Sequence, residues 1–372
     1  MIDFFCATLR REPVAWPAGP SGDGAAVLER ARDHGVHLLV AERLGQPDAP
    51  EGCLEPTRAL FARVLREEAA VEQITRRELR EVLGRFGDEG VRPLLFKGAA
   101  LAFTHYPRPV LRPRLDADLL VTAADVPRAA AVLGRLGYEP VPSITGTLVS
   151  YQQEYSKVDR FDIRHSLDLH WRMSNPQLFA RIATAEDLAA RSVSVPALGE
   201  TARALGPVDA LAVACIHRVA HHHDEERLIW LYDIHLLAGA LTGAEAEAFL
   251  AQAASAQIRA VCARGCALAQ ARFGTELPPD FLDRLARGAE GEPSAEYLRG
   301  DRRRVDVLLS DLRTLGGWTE RFRLLGEHVF PPASYMRQVY GVTNRGLLPV
   351  LYARRVAAGA RKWFRRGGRP GP

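Results

Sequence analysis

The sequence predicts an α+β protein in which a small sheet domain lies between helical segments, and three observations carry that prediction. Between residues 91 and 195, short apolar runs alternate with helix-like stretches and end in two strand-like segments flanking a polar turn. Ahead of that region, 25–32 and 60–86 repeat apolar residues every three to four positions, with Glu and Arg between them. Beyond Thr201 the helical period returns over 208–219, 225–241, 244–273 and 301–315.

Each element has its own signal. A Pro- and Gly-rich stretch from Gly45 to Pro56 separates the first two helical blocks and reads as a loop. The apolar run Val91-Arg92-Pro93-Leu94-Leu95-Phe96 reads as a strand that ends at Lys97-Gly98, and a helix begins over 99–103. Asp116-Ala117-Asp118-Leu119-Leu120-Val121 is a second strand, followed by a helix over 123–137 with Gly137 as its stop. Segments 148–157 and 162–171 pair as a hairpin about Val158-Asp159-Arg160. Pro278-Pro279 and Pro331-Pro332 interrupt the later helices. The expected organisation is a helical region 1–90, a sheet core 91–200, a helical domain 201–344 and a basic tail 345–372. The closing Gly367-Gly368-Arg369-Pro370-Gly371-Pro372 predicts that the tail is partly disordered.

A chain of 372 residues, 47% apolar and 25% charged, can bury a sizeable core, which excludes a wholly disordered chain, a collagen-like fibre and a disulfide scaffold. No apolar run approaches the roughly 18 residues of a membrane-spanning helix. Met1-Ile2-Asp3 and Arg10-Arg11-Glu12 give no basic segment ahead of an apolar one, so no signal peptide is expected. Five scattered cysteines suit a reducing compartment, and the expected location is the cytoplasm. Cys262 and Cys266, four residues apart, lack zinc-ligand companions in sequence and read as buried packing. The net charge of +4 divides unevenly: residues 345–372 carry eight basic and no acidic residues, leaving 1–344 at −4. Such a tail can contact an anionic partner. Of 49 basic residues only Lys97, Lys157 and Lys362 are lysine, which draws attention to position 97.

Asp116 and Asp118 are two apart in a strand, so both carboxylates project from one face. Two adjacent carboxylates repel unless a cation lies between them, and hard oxygen ligands suit Mg²⁺. Ser166-Leu167-Asp168-Leu169-His170-Trp171 alternates in the same way, which puts Asp168 and His170 on one face. A neighbouring strand can thus bring a third carboxylate to the pair, and three carboxylates can hold two metal ions roughly 3.5–4 Å apart. Lys97-Gly98 at a strand-to-helix junction suits a phosphate, with the glycine allowing close backbone approach and the lysine adding a point charge. Arg112 could hold a phosphate or neutralise the acidic cluster. His217 and His221 share a helix face and are expected to line the cleft between sheet and helical parts; packing by hydrogen bonds to Asp233 and Trp230 is the alternative.

These residues occur in an order that resembles a known family. Phe96-Lys97-Gly98-Ala99-Ala100-Leu101, Tyr106-Pro107, Arg112, the Asp116–Val121 segment and Leu167-Asp168-Leu169-His170-Trp171 resemble the largely uncharacterised bacterial nucleotidyltransferases of the polymerase-β-like superfamily. The likeness continues through His217, His221, Arg227, Trp230, Tyr232 and Asp233. The resemblance implies a polymerase-β-like core with a small mixed sheet. It also implies that Asp116 and Asp118 are the metal-binding pair and Asp168 the third metal-binding carboxylate, all three catalytic. The superfamily's Gly-Ser motif is replaced here by Lys97-Gly98-Ala99-Ala100.

The implied activity is transfer of a nucleoside monophosphate from an NTP such as ATP to an acceptor, with pyrophosphate release and Mg²⁺ (alternatively Mn²⁺) as cofactor. Lys97, Gly98 and Arg112 would hold the triphosphate, and His170, His217 and His221 would complete the nucleotide-binding set. The acceptor is open among small molecules, peptides, proteins and RNA. The rival readings are a phosphotransferase or HD-like phosphohydrolase, for which His223-Asp224 is the motif, and a nucleotide- or peptide-binding protein without turnover. Clustered carboxylates also lead us to expect Asp118→Asn to be at least as stable as the metal-free wild type.

Overall fold

The structure, a computed structural model, describes residues 1–364 except 145 and 301, together with their side chains except those of 21, 304, 345 and 358–364. Among the described residues, seven strands form one sheet: β1 (Leu94–Phe96), β2 (Ala117–Leu120), β3 (Glu139–Pro140), β4 (Gln152–Val158), β5 (Arg164–His170), β6 (Val193–Ser194) and β7 (Arg203–Ala204). Their order is β3-β4-β5-β2-β1-β7-β6. The sheet is mixed, with β2 parallel to β5 and β1 parallel to β7, while the other pairs are antiparallel. The fold is α+β with a polymerase-β-like core, as the sequence predicts.

The two-residue period of the strands sorts their side chains. Leu95, Leu119, Leu167 and Leu169 fall on one face and pack against Leu79, Val82, Leu83 and Phe86 of the Glu55–Asp88 helix and Leu133 of the Val126–Arg135 helix. Leu94, Phe96 and Leu120 fall on the other, against Met173, Leu188 and Val213. Burying each such side chain contributes about 1.5–3 kcal/mol. Asp118 and Asp168 are carried by this second face, and Asp116 lies one residue ahead of β2, outside the strand the sequence predicts for it.

The Glu55–Asp88 helix joins two cores. It opens with Pro56 in its first turn, where a missing N–H costs nothing. Its early residues Phe61 and Val64 pack in a helical core with Phe5, Leu39, Leu231 and Ile234, whereas its last two turns cover the sheet. Sequence boundaries shift where tertiary contacts dominate. The single helix expected over 244–273 is two, Gly243–Ser255 and Arg259–Phe273, broken where Gln257 adopts φ 55° and Ile258 is fully buried. The segment holds no Gly or Pro before Gly265 to announce that break. In the basic tail, Leu348–Phe364 is a helix whose Tyr352 hydroxyl donates to the Pro331 carbonyl at 2.7 Å. Residues 365–372, which include the Gly- and Pro-rich end expected to be disordered, lie outside the described residues. All five cysteines are free and buried. No helix among the described residues is long and apolar enough to cross a membrane.

The sheet is fastened to the helical part by a buried ion pair. Arg112, just ahead of β2, donates from Nε (2.8 Å) and Nη2 (2.7 Å) to the carboxylate of Asp233 on the Leu228–Gly239 helix, which also accepts the Tyr106 hydroxyl at 2.7 Å. The third guanidinium nitrogen donates to the Pro113 carbonyl. Asp233→Asn keeps the shape and leaves the guanidinium buried without its counter-charge, a change worth about 3 kcal/mol or more. Urea unfolding should show that loss, and a change below about 1 kcal/mol would reduce the pair to the status of a surface ion pair.

Candidate active site

Strand register assembles the site. Phe96 pairs with Asp118, Asp118 with Asp168, and Asp168 with Glu154, so these four positions form a row across β1, β2, β5 and β4 on one face of the sheet. His170 pairs with Leu120 on one side and Gln152 on the other.

Asp118 is the centre of the row. It is buried, and its Oδ1 accepts a hydrogen bond from Lys97 Nζ at 2.7 Å and lies 2.9 Å from His170 Nε2. Burial alone would raise its carboxyl, but the Lys97 ammonium and the His170 hydrogen bond outweigh it and hold the group far below the usual carboxylate range. Lys97 takes φ 52° at the start of the Lys97–Thr104 helix, directly after β1, a left-handed conformation that costs of order 1–3 kcal/mol outside glycine. That turn carries its ammonium over the Phe96 ring (4.9 Å to the centroid) and onto Asp118.

His170 is pushed down to about 4 by burial and by Lys97, so its imidazole is neutral at pH 7. With Asp118 ionised, the shared hydrogen belongs on Nε2, which leaves Nδ1 an acceptor, buried and without a partner. Asp168 accepts from Gln152 Nε2 at 3.1 Å and lies 4.0 Å from His170 Nε2. Burial first, then the charges of Asp118 and Asp116, push its carboxyl up to about 7. Asp116 keeps solvent access at the mouth, yet desolvation and the Asp118 charge push it up to about 6. Asp118, Asp168 and His170 each offer one ligand atom, all within 4.8 Å of one another. Crowded oxygen donors whose charges raise one another fit a hard divalent cation, and Lys97 already supplies part of the compensating charge.

The histidine helix, Pro207–His222, faces this row: the Lys97 and Asp118 charges act on both His217 and His221. His221 Nε2 is 3.4 Å from Ser174 Oγ, and His217 Nε2 is 3.2 Å from His222 Nε2. The His222 ring stacks on Trp230 at 3.8 Å. Burial and the Lys97 charge push His221 down to about 3, leaving it neutral. Asp233, the alternative partner for these histidines, is taken by Arg112 instead.

The expected site residues therefore divide. Lys97, Asp118, Asp168 and His170 converge, Asp116 stands at the mouth, and His217 and His221 approach from the helical side. Arg112 and Gly98 have a different setting. A Cβ on Gly98 would stand 3.1 Å from the Arg112 guanidinium carbon, so the glycine makes room for the Arg112–Asp233 pair. The stability expected of Asp118→Asn also reverses, because Asp118 is matched by Lys97 and His170, and the poorly matched carboxyl is Asp168. Sequence reasoning did not single out Gln152, Glu154 or Ser174. The alternation of Gln152, Glu154 and Ser156 along β4 was the available signal, and it needed the hairpin register to point at Asp168.

A family model described as an uncharacterised nucleotidyltransferase matches residues 20–274, well over half of the chain. The chain belongs to this nucleotidyltransferase family. No curated protein matches it. The match takes in both the sheet and the histidine helix, and it ends before the helices of the last hundred residues.

A carboxyl whose pKa is raised by folding binds protons more tightly in the folded chain, so it favours the fold at low pH and loses that contribution as pH rises. Between about pH 4 and 7 metal-free wild type should therefore lose stability relative to Asp168→Asn, and the difference should level off above pH 7. Denaturation of both proteins with chelator present at a series of pH values checks this; a pH-independent difference would contradict the raised pKa.

Proposed function

We propose that the protein transfers a nucleoside monophosphate from an NTP to an acceptor and releases pyrophosphate. The observation that carries this reading is the juxtaposition of Asp118 and Asp168 on adjacent parallel strands, with Lys97 at their edge. A divalent cation, Mg²⁺ or Mn²⁺, would be held by Asp118 and Asp168 with Asp116 at the mouth, where it would offset triphosphate charge and favour in-line displacement.

The chain's own residues supply the remainder. Lys97 is the ammonium nearest the carboxylates and suits the β- or γ-phosphate once drawn from Asp118. Asp168, a carboxylate beside the acceptor's place, suits removal of the acceptor's proton, and Gln152 orients it through the hydrogen bond to Oδ2. The acceptor oxygen attacks the α-phosphorus, the bond to the β-phosphate oxygen breaks, and the proton passes through Asp168 to solvent. His217 and His221, neutral and facing the row, suit the nucleotide or acceptor as hydrogen-bonding groups.

The phosphohydrolase reading draws less support. Asp224, which that motif would need as a metal ligand, forms ion pairs with the buried Arg218 and with Arg264.

Incubation with labelled NTPs, Mg²⁺ and cell extract should release pyrophosphate and label a product. Asp118→Asn should lower turnover by about 100-fold or more, the loss expected when several kcal/mol of transition-state stabilisation disappear. Release of inorganic phosphate instead would favour the hydrolase, and nucleotide binding without turnover would favour a binding protein.

A further inference from the structure

Outside the matched residues, beside the Arg304–Thr314 helix, lies a polar cavity of ≈ 310 Å³ lined by Tyr297, Arg299, Arg302, Arg303 and Ser310 together with two acidic residues. The acids are engaged. Asp306 binds Arg303 through both carboxylate oxygens, at 2.9 and 3.2 Å, and Glu296 lies 3.7 Å from Arg313. Among the described residues neither Arg299 nor Arg302 has an ion-pair partner. Arg302 lies over the Tyr297 ring, 4.3 Å from its centroid, and its Nη1 is buried without a hydrogen bond. Tyr297 is 3% exposed; its hydroxyl is buried beside the Ser310 hydroxyl without a hydrogen bond of normal length, and the Asp311 carboxylate acts on both Tyr297 and Arg302.

The groups without a full set of partners are donors, Arg302 Nη1 and the Tyr297 hydroxyl, while Asp311, the acid that acts on both, already accepts the Gln177 N–H. A buried donor left unsatisfied costs about 1–3 kcal/mol, so two of them on one cavity, with the uncountered Arg299 at its edge, call for an occupant rich in acceptor oxygens. The cavity is at the small end of the range for small-molecule sites. Guanidinium groups and a hydroxyl around such a space match a phosphoryl group, whose oxygens accept from several directions. We infer that this cavity binds a small phosphate-bearing anion, held by Arg299, Arg302, the Tyr297 hydroxyl and Ser310. The same helix carries Asp311, whose Oδ1 accepts the Gln177 N–H at 2.7 Å, so the occupant would lie next to the network that supports the catalytic face.

The inference is independent of the proposed transfer reaction, and its test keeps the two apart. Calorimetric titration of the full chain with pyrophosphate, inorganic phosphate and AMP, without divalent metal, should give saturable binding in wild type and in Asp118→Asn alike. The tightest of the three probes identifies the source of the phosphoryl group. Arg302→Gln should weaken that binding about tenfold or more, and Tyr297→Phe, which keeps the ring beneath Arg302, about threefold or more. Thermal unfolding of Tyr297→Phe without ligand should stay close to wild type, so that its weaker binding reads on the site. No saturable binding at millimolar probe would overturn the inference. So would binding that both cavity variants leave intact, or binding that Asp118→Asn alone abolishes, which would assign the anion to the catalytic face.

Discussion

One carboxylate oxygen, Asp118 Oδ1, is shared by Lys97 Nζ at 2.7 Å and His170 Nε2 at 2.9 Å, and the candidate site depends on that sharing. A charge buried in the middle of a sheet is expensive unless it is paired and hydrogen-bonded. Lys97 supplies the pairing at the cost of a left-handed backbone, and His170 supplies the second donor. The result is an asymmetric trio of acids. Asp118 stays ionised, while Asp168 and Asp116 are pushed up toward neutrality by burial and then by the charge that Asp118 keeps.

The support of that face extends beyond the matched residues. Gln152, which donates to Asp168, accepts from Asn175 Nδ2 at 3.3 Å; Asn175 Oδ1 accepts from the Tyr151 backbone N–H at 2.9 Å. The Tyr151 hydroxyl donates to Gln177 Oε1, and the Gln177 N–H is held by Asp311. Glu327 adds a clamp on the same loop by accepting the backbone N–H groups of Leu148 and Val149. Helices after residue 274 thus fix the orientation of Gln152, and through it Asp168. Positioning of this kind lets a side chain act without searching rotamers.

Much of this was legible in the sequence because strands have a period of two. Asp168-x-His170 declares a shared face and the alternating leucines declare which face is buried, whereas Asp116, read as the partner of Asp118 within a strand, falls one residue ahead of β2. What the sequence withheld depends on distant partners. Arg112 reads as a free cation four residues before Asp116, but its partner Asp233 is 121 residues away, and that pairing explains Gly98 as a matter of space. The two-residue strands β6 and β7 carry no periodicity to detect and exist by pairing with each other and with β1. The break at Gln257 has the same origin, a helix ended by burial of the residue that follows it. The histidines on Pro207–His222 were visible as a helix face, but which neighbours they meet was set by packing against Ser174 and Trp230.

The central claim is that Asp118 and Asp168 form a seat for a divalent cation which Lys97 guards in its absence. Anomalous diffraction from crystals containing Mn²⁺ and a non-hydrolysable NTP tests this most directly. The account predicts a manganese peak ligated by carboxylate oxygens of both Asp118 and Asp168, with Lys97 Nζ moved from Asp118 onto a phosphate oxygen. A peak among His217, His221 and His222 would contradict it, as would nucleotide bound without a peak at the carboxylates and with Lys97 still on Asp118.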